Sequence, residues 1–191
     1  ARGGPQLTLG WGYHPRMHPV AAALVSRLGI SRLPVEETYF VSTYRSTAEN
    51  EDGEPVGTAM LGLYCADPPS LSLFHRLTFD EVWHFYGGDP IRLVLLHPDG
   101  ATETVILGSD ILAGQQVQVV VLAGTWQAGE LVPGGEWALF GCTVAPGFTG
   151  TCFEGGRAED LLPRYPERAD DIRRLGIAGG HDTRMPSGFA T

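Results

Sequence analysis

The sequence predicts an all-β domain, a jelly-roll barrel with a few helices on its outside. Three observations point there. Short runs of Val, Leu, Ile, Thr and aromatic residues recur at regular spacing over 36–144, the mark of a sandwich or barrel. Turn signals separate them, among them Asp67-Pro68-Pro69, Gly87-Gly88-Asp89-Pro90, His97-Pro98-Asp99-Gly100 and Pro133-Gly134-Gly135. Helical composition is confined to the flanks, at 20–28 and 166–175.

In chain order, residues 1–17 carry Gly, Pro and aromatics without periodicity and are expected to form an N-terminal arm. His14 and His18 lie in this region with no partner at ligand spacing, so both are expected at the surface. Pro19 at a first turn, the run 20–28 and Gly29 as a stop predict a short helix packed outside the barrel. It opens the domain proper, expected over 18–176. Strands are expected at 36–46, 58–66, 70–77, 81–86, 91–96, 102–107, 116–122, 126–131 and 136–144. The acidic, turn-rich stretch 49–57 reads as a solvated loop. Residues 159–164 suggest a short turn. The stretch 166–175 places acids early and Arg173 and Arg174 late before Gly176, which suits a helix and its dipole. The tail 177–191 has no pattern and is expected to be mobile unless a partner chain holds it. There is no internal repeat and no second domain.

Composition narrows the function. With 191 residues, 43% hydrophobic and 18% charged, the chain is one globular domain with a sizeable core. A formal charge of −9, with the Arg residues scattered, argues against a nucleic-acid partner. All 13 basic residues are Arg and none is Lys. Schiff-base catalysis, pyridoxal phosphate attachment and a phosphate-loop lysine are therefore excluded. No apolar run approaches the roughly eighteen residues that cross a bilayer, and no charged region precedes an apolar one at the start, so no membrane partner and a cytoplasmic location are expected. Cys65, Cys142 and Cys152 fall at no metal-like or redox-like spacing and are expected as buried thiols, with a Cys142–Cys152 bridge as the alternative.

The chain is organised around 74–88, Phe-His-Arg-Leu-Thr-Phe-Asp-Glu-Val-Trp-His-Phe-Tyr-Gly-Gly. Two apolar-aromatic runs flank a polar turn at 78–80, which reads as a hairpin. Alternation puts His75 and Leu77 on one face of the first strand, and Glu81, Trp83 and Phe85 on one face of the second. If those faces line one pocket, an imidazole and a carboxylate meet among aromatic walls. His75, Glu81 and Gly88 also stand at the spacing of the first motif of the cupin superfamily, with Leu77 in place of its second His. Gly114, Gly124 and the run 122–127 resemble the second motif, with Leu122 where Pro is usual and Gln127 where the last His is usual. Segments at 39–40, 43–46, 74–77, 80–90, 123–127 and 141–148 are similar to one single-domain cupin family long catalogued as a domain of unknown function. The likeness covers about residues 20–166 and implies a cupin double-stranded β-helix. That family usually reads Glu-Gly-Gly-Tyr-Phe where this chain has Glu36-Glu37-Thr38-Tyr39-Phe40. Loss of both glycines alters the permitted backbone there.

A cupin metal site takes three His and one Glu. Here His75, Glu81 and Gln127 are the residues available, and Leu cannot coordinate, so no cofactor is expected; a divalent transition metal on those three residues is the alternative. His84, three residues beyond Glu81, is expected with Tyr86 on the outer face. Phe74, Trp83, Phe85 and Trp126 are either core or a stacking surface for a flat or sugar-like ligand. Arg45 and Arg76 are surface cations or carboxylate clamps. A carboxylate facing a low-dielectric pocket beside a His makes an acid–base couple poised near neutrality, though a buried ion pair that fixes the barrel is the plainer alternative.

The resemblance extends to deoxysugar epimerases in barrel type, which work through a His base and an opposing acid without metal. It implies a cupin that binds a small polar metabolite and performs epimerisation, isomerisation or dehydration by proton transfer. In that reading His75 is the general base, Glu81 its orienter or the acid, Gln127 a donor to a developing enolate oxygen and Tyr44 a further acid. Phe74, Trp83, Phe85, Trp126 and Arg45 hold substrate. A metal-dependent oxygenase or lyase, and a binding protein without turnover, are the alternatives. A homodimer is expected, because exposed strand edges need covering.

Overall fold

The computed structural model describes residues 16–190. Helix α1 (Pro19–Leu28) is followed by strands β1 (Ser31–Arg32), β2 (Tyr39–Arg45), β3 (Thr58–Cys65), β4 (Ser72–Leu77), β5 (Glu81–Gly88), β6 (Ile91–Leu96), β7 (Thr102–Leu107), β8 (Gln118–Val121), β9 (Trp126–Leu131), β10 (Trp137–Val144) and β11 (Phe153–Gly155). Helices α2 (Ala158–Leu161) and α3 (Ala169–Leu175) close the domain. The expected strands all form, with ends shifted by three residues or fewer. Of the expected arm only residues 16 and 17 are described; its remainder, with His14, lies outside the described residues.

The strands build two antiparallel sheets, ordered β1-β2-β3-β10-β5-β8 and β11-β4-β9-β6-β7. This corrects the hairpin reading of 74–88. β4 pairs with β9 and β11, whereas β5 pairs with β10 and β8. The turn at 78–80 is therefore a corner that carries the chain from one sheet to the other. Inward residues of the two strands consequently face each other across the barrel interior.

Each sheet buries its inner face against the other. Tyr64, Trp83, Leu93, Leu95 and Phe140 fill one end of the interior, with Trp83 stacked on Phe140 at 4.9 Å between ring centroids. The outer faces are covered as well. α1 caps the first sheet through Ala21, Ile30 and Leu63, and α2 and α3 cover the second through Leu161, Ile172 and Leu175. α1 starts with the His18 side chain accepting from the Val20 N–H and stops at Gly29, whose φ of 67° takes the left-handed region that glycine enters freely. α3 is tied to the second sheet by an ionic cluster in which Asp171 bonds Arg92 at 2.8 Å and Arg174 at 2.9 Å.

The tail 177–190 is held by its own chain rather than left loose. The Gly155 N–H donates to the Thr183 carbonyl, Arg184 to the Phe153 carbonyl, and Ile177 and Met185 are buried. Cys65, Cys142 and Cys152 are free and buried, as the plainer expectation had it, and no Cys142–Cys152 bridge forms. No helix among the described residues is long and apolar enough to cross a membrane.

Candidate functional site

Beside the Trp83–Phe140 stack, the sheets enclose a cavity of about 300 Å³ that Trp83 helps to line. His75 and Glu81 both line it, one from each sheet, and they are only 4% and 7% exposed. Local irregularity aims His75. β4 pairs Ser72 with Gly129 and His75 with Gln127, three residues against two, so a bulge lies between them. The bulge lets Ser72, His75 and Leu77 all point inward while Phe74 and Arg76 point outward.

The His75 ring is fixed on two sides. Its Nδ1 lies 2.8 Å from the Leu73 carbonyl oxygen, which only accepts, so Nδ1 carries the hydrogen. Phe153 stacks on the ring at 5.3 Å with planes 15° apart. In the neutral ring the lone pair then belongs to Nε2, which has no hydrogen-bond partner among the described residues. No sealed side-chain nitrogen or oxygen there lacks a partner, so Nε2 opens onto the cavity.

Glu81 is held from behind. Gln127, 1% exposed, donates from Nε2 to Glu81 Oε2 at 2.7 Å, and its Oε1 accepts from Trp83 Nε1 at 2.7 Å. Burial pushes the Glu81 carboxyl above its ordinary range; the charge of His75 opposes this, Glu36 adds to it, and hydrogen bonds from Gln127 and Cys142 oppose it.

Glu36 is a third buried polar group on the cavity, 6% exposed. Its Oε1 lies 3.9 Å from His75 Nδ1 and accepts from Thr38 Oγ1 at 2.9 Å. Behind Thr38 stands Ser72 at 2.8 Å, and Tyr64 donates to the Ser72 hydroxyl at 2.5 Å. One order of donors satisfies this chain: Tyr64 to Ser72 to Thr38 to Glu36. On either side, Val35 and Glu37 have φ of 72° and 70°, strained values for residues with side chains. Glu37 thus adopts a left-handed backbone although it stands where the family has Gly, and Arg32 bonds both its carbonyl and its carboxylate. In the sequence Glu36 stands out only as the start of a departure from the family wording. An acid between Val35 and a strand was the available signal.

Other expected site residues fall elsewhere. Trp83 and Arg45 line the cavity. Arg45 Nη1 bonds the carbonyls of Phe148 at 3.2 Å and Ala190 at 3.0 Å, so it anchors the tail whose Phe189 and Ala190 also line the cavity. Gln127 does not reach it; both ends of its amide are spent on Trp83 and Glu81, which removes it as an enolate donor. Tyr44 is 56% exposed and does not line the cavity, so it is no second acid there. Phe74 and Trp126 pack outside the second sheet under α2 and α3, with Arg76 over the Trp126 ring at 4.5 Å. Phe85 packs on the hydrophobic end of the interior, beyond the cavity. These three aromatics are core; alternation turns Phe74 away from the face of His75 and Trp126 away from the face of Gln127. His84 lies on the outer face, bonded to Thr143 and Gln118 and stacked on Tyr86.

Leu77 has no donor, the Gln127 oxygen is occupied by Trp83, and His84 points away. Among the described residues no three His, Cys, Asp or Glu side chains gather as a ligand group.

A family profile described as cupin superfamily (DUF985) matches residues 22–155. The chain is a cupin. Solved structures agree with this. This cupin is 30% identical to a protein of Shewanella oneidensis, with a TM-score of 0.76 over 83% of this chain and 98% of that one. It is 26% identical to a hypothetical protein from Leishmania major, with a TM-score of 0.74 over 82% of this chain and 98% of that one. A cupin 2 conserved barrel domain protein from Rhodopseudomonas palustris shares the fold at 11% identity, with a TM-score of 0.50 over 78% and 90%. No curated protein matches the chain. The cupin frame explains the site's layout, since its first motif is the corner that sets His75 and Glu81 on opposite sheets.

Proposed function

We propose that this cupin binds a small metabolite in its barrel and moves a proton on it without a metal, with His75 Nε2 as the base and Glu81 as the acid. One observation carries the reading: an imidazole whose Nδ1–H is committed to Leu73 presents a free Nε2 to the cavity, and a carboxyl raised by burial faces the same space. Nε2 takes a proton from carbon beside a carbonyl. Glu81 supplies one; with Oε2 accepting from Gln127, the acid proton belongs on Oε1. Gln127 is a positioning residue, and Glu36 steadies the imidazolium that forms, 3.9 Å from Nδ1. The aromatic wall and the tail over the mouth exclude water, which strengthens these charge interactions.

The test is solvent exchange. A panel of small keto and hydroxyketo compounds is incubated with protein in D2O and followed by ¹H NMR. Deuterium enters at the carbon beside the carbonyl with wild type, and His75→Gln and Glu81→Gln each slow it by at least about a hundredfold. Full exchange by His75→Gln would eliminate the assignment.

A further inference from the structure

We propose that the cavity selects a small organic amine, its ammonium group held by the Glu36 carboxylate and its apolar body against the aromatic wall. This rests on reading the cavity as the ligand site and not on the proton transfer assigned to His75. Charge comes first. Two acids, Glu36 and Glu81, line the cavity, and the cation lining it, Arg45, has Nη1 on two backbone carbonyls. An anionic ligand would meet both acids, with Arg45 as the one cation lining the cavity among the described residues.

Open valences agree. Glu36 uses Oε1 on Thr38, while its Oε2 has no hydrogen-bond partner among the described residues. Because no sealed oxygen there is left unpartnered, Oε2 is aimed into the cavity from a residue 6% exposed. His75 Nε2 is open in the same way from a residue 4% exposed. An ammonium has three donors and no acceptor, which suits a carboxylate oxygen with an empty lone pair.

Shape and surface narrow the body of the ligand. Phe40, Trp83, Phe148, Phe153 and Phe189 line the cavity. Aromatic faces attract cations, and carboxylates among aromatics are the chemistry by which ammonium groups are recognised. A volume of about 300 Å³ lies at the small end of ligand pockets and leaves no room for a nucleotide-linked sugar. The ligand class is therefore a compact amine with an aromatic or branched aliphatic body.

Titration calorimetry with three matched sets of probes tests this, the phenethyl, cyclohexyl and isoamyl skeletons each as amine, alcohol and carboxylate. In at least one set the amine binds wild type about tenfold or more tightly than the alcohol, and the carboxylate binds least. Glu36→Gln reduces that preference to below about threefold. Equal binding of amine and alcohol, tighter binding of a carboxylate, or no amine binding in any set overturns the proposal. If Glu36→Gln does not fold, the wild-type ranking decides alone. Amine selectivity without deuterium exchange on any substrate removes the proton-transfer reading and leaves this one. Exchange on a neutral or anionic substrate without amine selectivity does the reverse.

Discussion

Gln127→Leu separates the support of the site from its surface. The substitution keeps volume but removes two buried hydrogen bonds, each 2.7 Å long. Both partners remain: Trp83, 1% exposed, keeps an N–H with nothing to donate to, and Glu81, 7% exposed, loses a donor. Each orphaned group costs about 1–3 kcal/mol, and replacing an amide by hydrocarbon returns about 1 kcal/mol, so a net loss of about 1–5 kcal/mol is expected. The loss has a pH signature. Glu81 is already raised in the folded protein, so the folded state holds its proton more tightly than the unfolded chain. Stability therefore falls as pH rises from about 4.3, the ordinary Glu value, through the raised one. Without the Gln127 donor the carboxyl moves further up and that window widens. Urea unfolding followed by Trp fluorescence at about pH 5 and pH 8 should show a deficit that grows with pH. A variant within about 0.5 kcal/mol of wild type at the higher pH, or a deficit that shrinks as pH rises, would refute the account of Gln127 as the support of Glu81.

Three further outcomes are expected. Burial pushes the Cys65 and Cys152 thiols up to about 11 and holds Cys142 well above the ordinary thiol range, so a thiol reagent at about pH 8 should leave the native protein unlabelled and react with all three after guanidinium unfolding. Glu37→Gly relieves a φ of 70° but loses the Arg32 pair at 2.5 Å, an exposed contact of about 0.5 kcal/mol; a net gain of about 0.5 kcal/mol is expected by chemical denaturation, and a loss above about 1 kcal/mol would contradict the strain. Burial raises Asp171, but its bonds to Arg92 and the charges of Arg92, Arg174 and Arg168 hold it below the ordinary carboxylate range. Asp171→Asn should therefore cost about 1–2 kcal/mol near neutrality, a difference that fades as pH falls through the lowered value, measured by unfolding across that range.

Strand positions were legible because alternation, β-branched and aromatic runs and Gly/Pro turns are local properties, and local geometry enforces them. Ile91–Leu96, Thr102–Leu107 and Trp126–Leu131 form as read from spacing alone. His75 and Glu81 reach one cavity for the same reason, since inward alternation on each side of the corner is written into the motif. The 78–80 turn shows the boundary of that reasoning. A polar turn between two strands is the same string whether the strands pair or part, and only the partners chosen by β4 and β5 made it a corner.

What the sequence determined by itself is the all-β class, the strand inventory, the cupin motif with Leu77 and Gln127 in place of ligands, and the absence of lysine chemistry. What tertiary structure decided is who faces whom. A one-residue bulge in β4 brought Ser72 onto the same face as His75, neighbours across β9 and β5 absorbed Gln127, and the tail came back 145 residues along the chain to close on Arg45. Each of these depends on long-range register. A shift of one residue there flips a side chain to the other face while leaving composition and spacing untouched.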